Sequence, residues 1–159
     1  MTQRQSLIAH KIAIQTAKNT LKQLSGIDVL QIYEDQENLD LNELYAAYTS
    51  TYSYNVPPYS KLPYHSSEED IYSWLIETIE LKEQGEYFLL CGLWSKIKIL
   101  DLQCAVPSLW HHNKNTKGFL LAETDLSRIM ECGSDSRDEY HYLIDIWEKR
   151  GEQFYGINR

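Results

Sequence analysis

The sequence predicts an α+β fold: an antiparallel sheet of about five strands, drawn from the second half of the chain, with helices, mostly from the first half, packed on one face. Three observations predict it. Helical spacing of apolar residues is concentrated before Gly85, and short apolar or alternating runs follow it. The stretch from Tyr87 to Trp94 is apolar at every position except Gly92, so a strand there needs cover on both sides and belongs at the centre of a sheet. With 159 residues, 43% hydrophobic and 24% charged, the chain is long enough to bury roughly two-thirds of its unfolded surface, and it is expected to fold as a single domain, 1–159.

The first element is a basic helix over 3–25. Leu7, Ile14 and Leu21 form one seven-residue series and His10, Ala17 and Leu24 the other, so all six share one stripe, and Gly26 supplies the stop. Arg4, Lys11 and Lys18 repeat beside that stripe. Docking on the body of the protein is the expected use of such a face, and binding of a membrane surface or partner is the alternative. Ile27 to Tyr33 is short and β-branched and reads as a strand. Asp40 and Glu43 have the spacing of a helix start, which predicts a helix over about 41–49 with Leu41, Leu44, Tyr45 and Tyr48 inward.

The chain from Tyr52 to His65 differs in kind. Three prolines in seven residues exclude a helix or a central strand, and seven of the twelve tyrosines lie between Tyr45 and Tyr72. It reads as a tyrosine loop, whose rings either cover one end of the core or form a contact surface of the sort that binding loops use. Ser66-Ser67-Glu68-Glu69 opens a helix over about 67–84, with Ile71, Trp74, Leu75, Thr78 and Ile79 on its buried side. A β-meander over about 86–147 follows. Its expected parts are the central strand Glu86 to Trp94, a hairpin near Ser95, an alternating strand through Ile99, a helical turn from Pro107, strands Gly118 to Glu123 and Ser127 to Cys132, a turn over 133–138, and a last strand Tyr140 to Trp147.

Charge is unevenly spread. Residues 1–27 hold four of the fifteen bases and none of the 23 acids, so a basic helix is attached to a body carrying −12, within a total of −8. Between Lys22 and Lys61 stand six acids, Asp28, Glu34, Asp35, Glu37, Asp40 and Glu43, and no base. Such a surface repels nucleic acid and attracts basic proteins. No apolar run of membrane-spanning length and no secretory leader is evident, so a cytoplasmic location is expected, and Cys91, Cys104 and Cys132 are expected as reduced, buried thiols.

No motif fixes a chemistry. His111 and His112 adjoin without zinc-site spacing, and the Asp35 to Glu43 run has leucines where a calcium loop needs oxygens. Glycine loops for phosphates or dinucleotides and a nucleophile elbow are missing, and none of the cysteines has a basic or helix-start setting. His141 and Asp145, four apart in a strand, share one face and could form an acid/base pair, or simply lie on a solvated face. The expectation is a non-enzyme without cofactor or metal; an irregular calcium turn at Asp135, Asp138 and Glu139 is the open alternative.

In size, acidity and the Tyr52 to His65 loop set beside Asp135, Asp138 and Glu139, the chain resembles the cytosolic immunity proteins with which bacteria neutralise the toxin domains of rivals. The resemblance implies a basic protein partner, often a nuclease, occluded by acids that mimic phosphates and by aromatic anchors. The candidate contact residues are Tyr52, Tyr54, Tyr59, Tyr64, Asp35, Glu37, Asp135, Asp138 and Glu139. Two rivals are a phage or mobile-element regulator that mimics nucleic acid, and a small enzyme or metal-binding protein using His111, His112, His141 or the Asp135 turn.

Overall fold

The computed structural model describes residues 2–34, 39–51, 56–151 and 153–157. The elements in order are α1 (Gln3–Lys22), β1 (Ile27–Ile32), α2 (Leu39–Thr51), β2 (Ser60–Pro63), α3 (Glu68–Ile79), β3 (Glu86–Cys91), β4 (Leu93–Ile99), α4 (Leu102–Trp110), β5 (Gly118–Glu123), β6 (Arg128–Asp135), β7 (Asp138–Arg150) and β8 (Gln153–Ile157). All paired strands are antiparallel, in the order β1-β4-β3-β5-β6-β7-β2, with β8 also on β7. The α+β class therefore holds, with eight strands among the described residues in place of about five.

The extra strands have physical reasons. Pro63 is compatible with a strand only at an edge, and β2 is the edge strand beyond β7, paired from Ser60↔Ile144 to Pro63↔His141. The expected central strand from Glu86 to Trp94 is in fact two strands: the chain turns back at Gly92, whose φ of +89° suits glycine, and Cys91 faces Leu93. The hairpin is thus three residues earlier than Ser95, which lies buried in the ladder opposite Leu89. Nor is the second half one meander. After β4 the chain crosses back through α4, and β5 pairs with β3 on its far side. The two short strands of the first half, β1 and β2, end up at opposite edges.

Helices cover both faces and not one. On one face α1, α3 and α4 bury Ala17, Leu21, Ile71, Leu75, Val106 and Leu109 against Leu89, Ile97, Leu121, Met130 and Ile144. On the other, α2 buries Leu41, Leu44 and Tyr48 against Phe88, Trp94, Leu120, Ile129 and Trp147. Period-two alternation makes this necessary, because Phe88 and Leu89, or Leu120 and Leu121, point to opposite sides and all four are buried.

Helix ends depart from the expected ones in several places, and α1 already stops at Lys22 with Gln23 as its cap, ahead of Gly26. The first turn of α1 is closed by a capping box between Thr2 and Gln5, yet residues 2–9 all lie exposed, and only the second half of the helix docks, through Ala17 and Leu21. Leu7 therefore stands in solvent together with Ile8 and Ile12. Helix α3 stops at Ile79 because Glu80 adopts the left-handed conformation, φ +62°, and donates its N–H to Ile76. Helix α4 begins at Leu102, capped by Asp101, and Pro107 lies inside it, not at its start. Cysteine placement also needs correction: Cys91 and Cys132 are buried, whereas Cys104 is exposed at the third position of α4. Its thiol donates to the Asp101 carboxylate at 3.4 Å, and that hydrogen bond and charge push its pKa up, so the helix start does not activate it.

Strands β5 and β6 approach closely at Gly118↔Gly133. A Cβ on Gly118 would lie 2.0 Å from the Cys132 carbonyl oxygen, and one on Gly133 would lie 2.2 Å from that of Lys117. Backbone cannot retreat there without breaking the ladder. Gly118→Ala is expected to cost about 3 kcal/mol, enough to lower the melting temperature by roughly 6–12 °C. Gly92→Asn, whose Cβ would meet nothing within 4 Å, is the matched control and should shift it by no more than a few degrees.

Candidate partner-binding surface

The site is built where β2 meets the start of β7. Tyr64 continues β2 and donates its N–H to the Tyr140 carbonyl at 2.9 Å; its hydroxyl donates to the Asp138 carbonyl at 3.1 Å. Its ring packs edge-on against Tyr142 at 4.6 Å, and Tyr142 in turn packs against buried Trp110 of α4 at 4.9 Å. These rings run from the core to the surface. Tyr140, on the same face of β7 by the period of two, is the outermost, with 74% of its area exposed. Desolvation, then the charge of Asp138, raises the Tyr64 hydroxyl above the usual phenol range, so it stays a neutral donor.

The turn that leads into this surface is fixed by its own acids. Asp135 accepts from the Arg137 N–H at 2.9 Å, and Asp138 accepts from the Tyr140 N–H at 2.9 Å while contacting His141 Nδ1 at 3.0 Å. The Tyr140 amide, then His141, hold the Asp138 carboxyl below its ordinary pKa. Glu139 and Tyr140 are exposed, whereas Asp135 and Asp138 are half-buried.

On the opposite face of the same hairpin lies a buried ionic cluster. Arg137, with 6% of its side chain exposed, pairs with Asp145 and, at 3.1 Å, with Asp135, and donates to the Val56 carbonyl at 2.9 Å. Burial opposes the guanidinium charge, but the two carboxylates outweigh it and the group stays charged. Burial likewise pushes Asp145 up, against the pull of Arg137. Glu131 is the cross-strand partner of Asp145, and desolvation, then the charges of Asp145 and Asp135, push it up to about 7. The cluster ties the hairpin to the chain that precedes β2.

The remaining sequence candidates separate. Tyr59 donates its N–H to the Ile144 carbonyl and its ring packs on the main core. Tyr52, Tyr54, Asp35 and Glu37 lie outside the described residues. His141 and Asp145 do share a face but not a bond: one engages Asp138 and the other Arg137, and Asp145 is buried, not solvated. His111 is exposed and close to Tyr72 and Glu68, with Lys117 at 2.6 Å from its Nδ1, while His112 is half-buried and its pKa is lowered by desolvation. Among the described residues no three metal-ligating side chains converge. Sequence reasoning missed Tyr140, Tyr142, Glu131 and Arg137. The alternation Tyr140-His141-Tyr142 was the available signal for the first two.

Comparison with family models, with curated proteins and with solved structures finds no match to this chain.

Two outcomes test this geometry. Arg137→Met leaves Asp145 buried and unpaired and is expected to cost about 3–5 kcal/mol in urea unfolding, most of it recovered when Asp145→Asn is added. Because the folded protein raises the Glu131 pKa above its ordinary 4.5, that group's contribution is complete below pH 4.5 and is lost as pH rises through about 7. Glu131→Gln should therefore raise the melting temperature by several degrees at pH 8.5 and leave it nearly unchanged at pH 5; equal shifts at both would contradict the assignment.

Proposed function

We propose that this chain is a non-catalytic binding protein of the immunity type, which neutralises a basic toxin domain by covering it with an acidic, tyrosine-bearing surface. The observation that carries the reading is the exposed ring of Tyr140, which stands beside the packed Tyr64–Tyr142 pair and follows Asp138 and Glu139 in the sequence. A large solvent-facing aromatic on a rigid strand has little entropy to lose on contact, which is what an interface anchor needs. Carboxylates around it, on a chain of net charge −8, favour a basic partner and speed its approach.

The supporting chemistry is that of binding. Asp135, Asp138 and His141 are each engaged with neighbours in the turn, and among the described residues no constellation of nucleophile, base and orienting group is assembled there. In this reading occlusion follows from position: a carboxylate at the centre of a basic active site takes the place of a phosphate, and the rings around it exclude water.

The test is affinity capture from the native cytoplasm with the full chain as bait, at low and at high salt. A stoichiometric basic protein retained at low salt and released at high salt is expected, with Tyr140→Ala and Glu139→Lys each weakening its retention at least tenfold without moving the melting temperature. Capture that is insensitive to both changes, or capture of no basic protein, would overturn the reading.

A further inference from the structure

Strand β2 ends the sheet, and helix α3 packs against it. Between them is a groove of about 360 Å³, lined by Leu62 of β2 and by Asp70, Ser73, Trp74, Glu77 and Thr78 of α3. That volume falls within the range of about 300–1,000 Å³ usual for binding clefts. The α3 residues lining it form a lateral stripe, displaced by roughly 100° or more from the stripe of Ile71, Leu75 and Ile79 that faces the core. One wall is fixed by the indole of Trp74, which donates to the Ser60 hydroxyl at 2.9 Å.

The floor of the groove is a strand with unused pairing capacity. Tyr64 bonds inward to Tyr140, so by the alternation of an antiparallel ladder Leu62 also bonds inward, and the Lys61 N–H and C=O point outward. No described strand pairs with that edge. The alternation also separates the side chains: Leu62 lies on the groove face and Lys61 on the other. Charge adds the last constraint. From Ser66 to Leu81 the chain has five acids, Glu68, Glu69, Asp70, Glu77 and Glu80, and no base, and Asp70 and Glu77 line the groove about two turns apart.

We propose that the β2–α3 groove receives an extended, lysine- or arginine-bearing segment of the basic partner, which adds to the free edge of β2 as a further strand. Backbone bonds to Lys61 give the segment its direction. Its alternate side chains enter the groove, with cationic heads at Asp70 and Glu77 and aliphatic stems on Trp74 and Leu62. Pro63 limits how far the pairing runs, so the contact is short and depends on charge for its strength. The inference rests on the reading of a basic partner and states how part of that partner is held; Tyr140 lies close to the same edge, so one protein can engage both.

The test uses the full chain and an acetylated, amidated hexapeptide alternating lysine and valine, at low salt. Saturable shifts of the Lys61 amide and Trp74 indole signals are expected, with exchange of the Lys61 amide slowed at least tenfold. The exposed-site double variant Asp70→Asn/Glu77→Gln should weaken the peptide at least tenfold with an unchanged melting temperature, and the same peptide N-methylated at alternate amides should not bind. A glutamate-for-lysine peptide that binds equally, an N-methylated peptide that binds equally, or no shift at Lys61 each overturns the proposal. So does a Lys61 amide already protected in the free protein in proportion to its concentration, since a second copy would then occupy the edge. These results stand apart from the capture experiment: a captured partner indifferent to the double variant but lost with Tyr140→Ala removes the groove and leaves the broader reading in place.

Discussion

The sheet of this protein has to be roofed twice. Its central strands β3 and β5 put large apolar side chains on alternate sides, and at roughly 25 cal/mol per Å² of apolar surface neither side can be left wet. Helices α1, α3 and α4 cover one side and α2 the other. From that requirement the rest follows: helices are used up on the faces, and the edges are left to short strands. At β2 the edge is closed on one side by β7, and no described strand pairs with the other. The proposed surface lies at this one of the two sheet ends, where the acidic side of α3 adjoins the edge strand.

The β6–β7 hairpin joins core and surface. Its two faces carry opposite chemistry: a buried Arg137 held by Asp145 and Asp135 on one, and a series of packed rings, Trp110, Tyr142 and Tyr64, on the other. The ionic side gives little net stability, since desolvating three charged groups offsets most of their attraction. What it does supply is position. Arg137 reaches Val56 across 81 residues of sequence, so the segment entering β2 and the strand that receives it are set by one group. A rigid β2 is what allows both an exposed anchor at Tyr140 and a free edge with fixed backbone geometry.

Much of this was legible in the sequence, and the failures have causes. Helical stripes and the serine–acid start of α3 place the first three helices, and apolar or alternating runs place most of the strands, although the cap of α3 is Ser67, which accepts from the Asp70 N–H, and not Ser66. Gly92 was hidden because a fully apolar run looks the same whether it is one strand or the first half of a hairpin. The role of α2 was hidden because Leu41, Leu44 and Tyr48 show that a helix has a buried side, not which face of a sheet it meets. Arg137 and Asp145 are eight apart, and nothing marks them as partners until the register of β6 against β7 is known. Of the candidate contact residues, Tyr64, Asp135, Asp138 and Glu139 do converge at one end of the sheet, but Tyr140, the most exposed aromatic there, was passed over as part of an ordinary strand. The acidity of α3 was read only as favourable helix-start charge; its place beside an open edge appears only once β2 is seen to be a strand.

Amide hydrogen exchange of the full chain, with and without the basic partner recovered by capture, reads out whether the molecule acts through the β2–β7 edge. Added protection is expected to be confined to residues 60–64, 70–78 and 138–142. Protection centred instead on the exposed first half of α1, or on the α2 face, with the β2–β7 edge unchanged, would contradict it.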